Sequence, residues 1–195
     1  MQVTGIVLAG GKSTRMNFNK AMLPCGSLTM LEKTVKELYK SCTQVIIVAG
    51  ENIYDLDNCL IIPDLYRDGG PLGGIYAGLQ ASKTAYSFCV ACDLPLFKGE
   101  LVNILYEKAA GYQVVVPKVR GYYEPLLALY HQSCLDVMAK VFKAGQRKIT
   151  AAYPYLRVRV VSHEEIAEKL GERDYFLNIN TPEDWESYKK SILQT

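Results

Sequence analysis

Few features of this 195-residue sequence are extreme, and what is scarce narrows it first. Long apolar runs are missing: the longest stretch without a charged residue, Gly69 to Ser82, covers 14 positions and includes five glycines and Pro71. A spanning helix needs about 20 predominantly apolar residues, so no membrane segment is expected. An excess of either charge is missing too, with 22 Lys and Arg against 20 Asp and Glu. That balance gives no bulk attraction to nucleic acid or to a membrane surface. Histidine is nearly absent, and His131 and His163 are far apart without an obvious partner, which leaves little support for a nucleophile and base pair. The apolar run Ile6 to Ala9 has no basic residue before it; Lys12 follows, the reverse of a secretory signal, and a cytoplasmic protein is expected.

Cysteine is present but does not read as a framework. A chain of this length buries roughly 70% of its unfolded surface and needs no disulfides to hold a core. Six cysteines spread along it therefore suggest a reduced compartment. Cys89 and Cys92 form the one C-x-x-C, yet they fall inside an expected strand, and no second pair offers zinc four ligands. They read as core residues.

Short apolar runs alternate with segments of helical spacing. The runs are Val3 to Leu8, Val45 to Val48, Leu60 to Ile62, Ser87 to Ala91, Val114 to Pro117 and Leu126 to Tyr130. Between them, Leu28 to Lys40, Leu72 to Ala81, Gly99 to Ala109 and Gln132 to Lys143 repeat apolar residues at three and four. This order predicts an α/β fold, an open and mostly parallel sheet with helices on both faces. Ser162 with Glu165 reads as a capping box, and Thr181-Pro182-Glu183-Asp184 as a helix cap with Pro at the first position. Lys143 to Arg159 holds five basic residues and no acid, but no linker divides the chain. One domain is expected over 1–195, with 1–110 as its first half and the segment 111–195 as a subsidiary lobe.

The first strand runs into Leu8-Ala9-Gly10-Gly11-Lys12-Ser13-Thr14-Arg15-Met16, and Lys20 follows closely. Paired glycines let a backbone approach a ligand, and successive N–H groups form an anion-binding concavity. Lys12, Arg15 and Lys20 fall within nine residues with no acid among them, the composition of a phosphate site. A P-loop is rejected, since Ile6 stands where its first glycine belongs, and no G-x-G-x-x-G is present. Asp93 ends a buried run at the strand edge where ligands of open α/β sheets sit, and a nucleotide-bound magnesium needs only one or two carboxylates. Asp64 leads into the glycine-rich Gly69 to Gly74, where Gly73 either permits close packing or exposes backbone to a base.

The first loop resembles the signature of nucleotidyltransferases that activate phosphorylated metabolites, with Asn17 where a glycine usually follows Arg-Met. Leu177-Asn178-Ile179-Asn180-Thr181-Pro182-Glu183-Asp184 and Gly121 to Tyr130 narrow the resemblance to the molybdenum cofactor guanylyltransferases. It runs from about Val3 to Trp185 and implies a three-layer, Rossmann-like fold similar to the nucleotide-diphospho-sugar transferases. It also implies GMP transfer from GTP to the terminal phosphate of molybdopterin. On that resemblance, Leu8, Ala9, Gly10, Gly11, Lys12, Lys20, Asp64, Gly73 and Asp93 bind nucleotide; Arg15, Lys20 and Asp93 are catalytic; and Asp93 holds Mg2+. Arg147, Lys148, Asn178 and Asn180 face the acceptor, and proteins that insert molybdenum or deliver the cofactor to molybdoenzymes are the implied partners. A cytidylyltransferase, a sugar-phosphate nucleotidyltransferase and a non-catalytic GTP-binding module are the alternatives.

Overall fold

The structure, a computed structural model, describes residues 2–10, 19–50, 54–64, 66 and 69–193. The chain opens with strand β1 (Val3–Leu8). After a short 3-10 turn at Lys20–Met22 come the two-residue strands β2 (Pro24–Cys25) and β3 (Leu28–Thr29). Helix α1 (Met30–Leu38), strands β4 (Gln44–Ala49) and β5 (Leu60–Pro63), helix α2 (Gly70–Ala81) and strand β6 (Tyr86–Ala91) follow. The second half holds α3 (Glu100–Glu107), β7 (Val114–Val119), β8 (Tyr122–Tyr123), β9 (Leu127–His131) and α4 (Cys134–Lys143). A 3-10 segment at Ile149–Tyr155, β10 (Val158–Ser162), α5 (His163–Leu170) and α6 (Pro182–Leu193) complete it.

One eight-stranded sheet carries these elements in the order β5-β4-β1-β6-β9-β7-β10, with β8 on β7. Neighbours run parallel except around β9, which is antiparallel to both β6 and β7, and at the β7–β8 hairpin, also antiparallel. The exception has a local cause. Only the β8 hairpin, turning at Arg120 (φ 51) and Gly121 (φ 87), separates β7 from β9, and so short a connection cannot make the crossover that parallel pairing requires. Strand β10 was hidden by charge: Val158, Val160 and Val161 share it with Arg159, whose guanidinium bonds Glu165 at 2.9 Å. Helix α1 begins two residues later than the apolar spacing suggests, because Thr29 caps it reciprocally with Glu32.

Alternate strand residues serve opposite faces. Val7, Ile47 and Val90 meet α1, α3 and α5 through Leu31, Leu105 and Ile166. Ile6, Ile46 and Cys89 meet α2 and α4 through Ile75 and Met138. A third, smaller core joins Leu23, Cys25 and Met30 to Ile179, Trp185 and Tyr188, tying the early 3-10 turn to the C-terminal helix. All six cysteines are free, and Cys89 and Cys92 are buried. Among the described residues no helix is long and apolar enough to cross a membrane.

The chain leaves the end of β6 and is re-anchored at once. Gly99 N donates to Glu37 Oε2 at 3.0 Å, and Lys40 Nζ donates to Glu37 Oε1 at 2.8 Å. A Cβ on Gly99 would lie 2.0 Å from the Glu37 carbonyl oxygen, so only glycine permits this approach. Burial raises the Glu37 carboxyl, but the Lys40 ammonium and the Gly99 amide outweigh it and hold the group below its usual 4.5. Stability from Glu37 is therefore present above the unfolded-state value and lost as pH falls through the depressed folded value. Glu37→Ala should lose about 1.5–3 kcal/mol at pH 7, a hydrogen-bonded charge removed, and urea titrations should show that deficit shrinking in acid. A deficit independent of pH would refute the ionic part of this account.

Candidate active site

Strand order reverses beside β1: the chain passes from β1 to β4 and β5 on one side, then returns to β6 on the other. Ligands of open α/β sheets sit in the crevice outside the carboxyl ends of such strands. Here Cys92 N donates to Leu8 O at 3.3 Å, so the ends of β1 and β6 are held together and Asp93 emerges at the crevice. Lys20 comes from the other direction. Its turn is capped by Asn19, whose Oδ1 accepts from Ala21 N at 3.1 Å. Asn180 arrives from the C-terminal segment, because Ile179 is buried in the third core and its N–H donates to Asp93 O at 2.9 Å. Asp184 fixes the same segment by accepting from Asn180 N at 2.9 Å and Thr181 N at 2.8 Å. Those two amides are the main reason its carboxyl lies below the ordinary range.

Three side chains 160 positions apart at their extremes thus converge. Lys20 Nζ is 2.9 Å from Asn180 Oδ1 and 3.5 Å from Asp93 Oδ2. The other Asp93 oxygen, Oδ1, is buried and has no hydrogen-bond partner among the described residues. Burial pushes the Asp93 carboxyl above its usual value, and Lys20, which pulls the other way, does not fully offset it. One cation is too little for this carboxylate. An unpartnered anionic oxygen suits a hard cation, which binds oxygen ligands and shares them with phosphates and water. Asp93 therefore fits a magnesium ligand, with no other acid required of the protein.

Beside this cluster lies a cavity of about 550 Å³. Asp93, Asn178, Asn180, Arg147, Lys148 and Glu124 line it, and Leu94, Pro125 and Ile149 give it apolar wall. Four widely separated stretches of chain contribute those residues, and the expected acceptor-facing set all reaches one space. Arg147 lies with its guanidinium 4.3 Å from the Phe142 ring and donates to the Phe142 and Gln146 carbonyls.

Leu8, Ala9 and Gly10 end β1 at the crevice, and a Cβ on Gly10 would stand 2.9 Å from Gly50 N. Gly11, Lys12 and Arg15 lie outside the described residues. Asp64 follows β5, two strands from β1; its N–H donates to Ala49 O at 2.8 Å and its Oδ1 accepts from Tyr66 N at 3.1 Å. Gly73 is buried in α2, where a Cβ would meet Tyr66 Cβ at 2.8 Å, so packing alone requires glycine there. Neither touches Lys20 or Asp93 in the hydrogen bonds of the described residues. His131 pairs with Tyr86 at the far end of β6 from Asp93, away from this chemistry.

Two residues escaped the sequence reading. Tyr54 is buried, with its hydroxyl donating to Ala9 O at 3.0 Å and accepting from Asn19 Nδ2 at 3.1 Å. It links the residue before the paired glycines to the residue before Lys20. No spacing rule marks a tyrosine in a connection for such a task. Glu124 belongs to the cavity wall, and nothing in its sequence beyond the family-like stretch Gly121 to Tyr130 marks it.

Against known proteins, the profile of the MobA-like NTP transferase domain matches residues 5–162. The chain is 35% identical over 188 residues to a probable molybdenum cofactor guanylyltransferase of Carboxydothermus hydrogenoformans, covering 96% of this chain and 95% of that one. It is 34% identical to the molybdenum cofactor guanylyltransferase of Desulfosudis oleivorans, covering 97% and 96%. Among solved structures, molybdopterin-guanine dinucleotide biosynthesis protein A of Archaeoglobus fulgidus superposes with a TM-score of 0.84 at 26% identity, over 98% of this chain and all of that one.

Removing one oxygen tests the Tyr54 link. Tyr54→Phe should stay folded and weaken GTP binding roughly five- to tenfold, the worth of about 1 kcal/mol in lost hydrogen bonding. Isothermal titration with GTP checks it, and unchanged affinity would show that Tyr54 merely fills space.

Proposed function

Because this chain belongs to the MobA-like NTP transferase domain family and is a nucleotidyltransferase, we propose that it transfers GMP from GTP to the terminal phosphate of molybdopterin. The products are the guanine dinucleotide form of the cofactor and pyrophosphate. The observation that carries this reading at the level of residues is the Lys20, Asp93 and Asn180 cluster at the sheet's switch point. The names borne by the near-full-length relatives support guanine and molybdopterin as the substrates.

An oxygen of the acceptor's terminal phosphate attacks the α-phosphorus of GTP; the bond from that phosphorus to the bridging oxygen breaks, and pyrophosphate leaves with the electron pair. The attacking group is already an anion at neutral pH, so no side chain has to remove a proton. Charge and position are what the protein must supply. Lys20 neutralises negative charge at the α-phosphate, and Asn180 holds its ammonium in place. Gly10 and Gly11 donate backbone N–H groups, while Lys12 and Arg15 hold the β- and γ-phosphates. Asp64 and Gly73, with Leu8 and Ala9, accommodate the nucleoside. Arg147, Lys148 and Asn178 receive the acceptor. Magnesium, held by Asp93 when bound, would supply further positive charge to the triphosphate.

We take 1–195 as a single domain with its nucleotide half in 1–110 and its acceptor half in 111–195; in support, β9 of the second half pairs with β6 of the first. Free cysteines support a reduced, cytoplasmic setting. Proteins that insert molybdenum or pass the cofactor to molybdoenzymes are the partners this role implies.

The reading is tested by offering GTP, CTP, ATP and UTP with magnesium and molybdopterin and measuring pyrophosphate and dinucleotide together. GTP should be preferred; a preference for CTP would make the chain a cytidylyltransferase, and binding without pyrophosphate release would make it a nucleotide-binding module. Lys20→Ala should lower kcat by about 100- to 1,000-fold, the usual effect of deleting one charge-stabilising donor, with circular dichroism unchanged. Asp93→Asn should raise the magnesium concentration needed for half-maximal rate by at least about tenfold, the effect of about 1.4 kcal/mol; an unshifted magnesium titration would remove Asp93 from metal binding.

A further inference from the structure

Two acids line the cavity among its described residues, Asp93 and Glu124. Asp93 is accounted for by Lys20 and a divalent cation. Glu124 is not. Its backbone is fixed at both ends, the N–H donating to Pro117 O at 2.9 Å and the carbonyl accepting from Leu127 N at 3.0 Å. Its half-buried carboxylate makes no hydrogen bond or ion pair with the described residues. Burial and the nearby Asp174 carboxylate both disfavour its charge, and Asp174 has its own partner in Arg120 at 3.5 Å. An acid left this way, in a cavity whose other polar side chains are Asp93, Arg147, Lys148, Thr150, Asn178 and Asn180, costs stability unless a ligand brings donors to it.

The acceptor has such donors. A 2-amino-4-oxopyrimidine edge presents a ring N–H and an amino group side by side, spaced to pair with both oxygens of one carboxylate. Guanine and a pterin share that edge. Within the cavity, Arg147, Lys148 and Asn178 suit the acceptor's phosphate, and Pro125 and Ile149 supply apolar wall for a flat ring. Asp64, the residue associated with the nucleoside, follows β5 at the opposite edge of the sheet from β7 and β10. We infer that Glu124 is a specificity-determining residue that reads the 2-amino-4-oxo edge of the acceptor's pterin ring. This rests on the molybdopterin reading above.

The test uses the full chain with pterin and with lumazine, which carries oxygen in place of the 2-amino group, and follows ligand fluorescence without nucleotide. Wild type should bind pterin at least about tenfold more tightly than lumazine, as a site built to accept from an amino group rejects the analogue lacking it. Glu124→Gln, whose amide also donates, should narrow that preference to less than about threefold, and Glu124→Asp should keep most of it. In the complete reaction, Glu124→Gln should raise KM for molybdopterin at least about tenfold and move KM for GTP less than about twofold. A pterin preference retained by Glu124→Gln would overturn the inference, and a rise confined to KM for GTP would assign Glu124 to guanine instead. Failure of wild type to join GMP to molybdopterin would overturn the proposed function, an outcome separate from the nucleotide-free pterin and lumazine comparison.

Discussion

The arrangement of the whole site depends on a shortage of positive charge at Asp93. A carboxylate at the end of a buried strand loses hydration worth several kcal/mol. Lys20, 3.5 Å away, returns about 4–5 kcal/mol at an effective dielectric near 20. These opposing effects are of similar size, and the upward displacement of the Asp93 carboxyl says that burial still wins. A site in this state is stabilised by any further cation and, through Lys20, by any anion that shares it. On the proposed function, metal and polyphosphate would thus reinforce one another as ligands of one electrostatic unit.

Two supports hold that unit, and they enter from opposite ends of the chain. The Asn19 cap and the Tyr54 hydroxyl set the start of the Lys20 turn. The third core sets the other side, since Leu23 and Met30 pack with Ile179, and Ile179 is hydrogen-bonded to Asp93 itself. Asn180 closes the circuit on Lys20. The C-terminal motif therefore joins the Lys20 and Asp93 cluster to the cavity beside it, because the same short segment carries Asn178 into that cavity and Asn180 onto the lysine.

The chemistry also explains what the fold does without. Transfer to an anionic phosphate needs no proton removed, and neither histidine is a hydrogen-bond or ion-pair partner of Lys20, Asp93 or Asn180 among the described residues. His131 lies at the remote end of β6, and His163 packs on Phe176. The C-x-x-C pair is core: burial pushes the Cys92 thiol up to about 12 and that of Cys89 well above its ordinary value, which leaves both inert as nucleophiles.

By itself the sequence determined the α/β class, the strand run that ends at Asp93, the caps at Ser162 and Thr181, and the candidacy of Lys20. Each is written in local periodicity, in a cap's fixed offset or in a residue type beside a glycine pair. Tertiary structure alone decided the strand at Val158–Ser162, the Tyr54 link and the entry of Glu124 into the cavity. Those outcomes turn on which distant backbone groups remain to be satisfied once the layers pack. Nothing in the neighbours of Tyr54 along the chain states that Ala9 and Asn19 will come within reach of one hydroxyl.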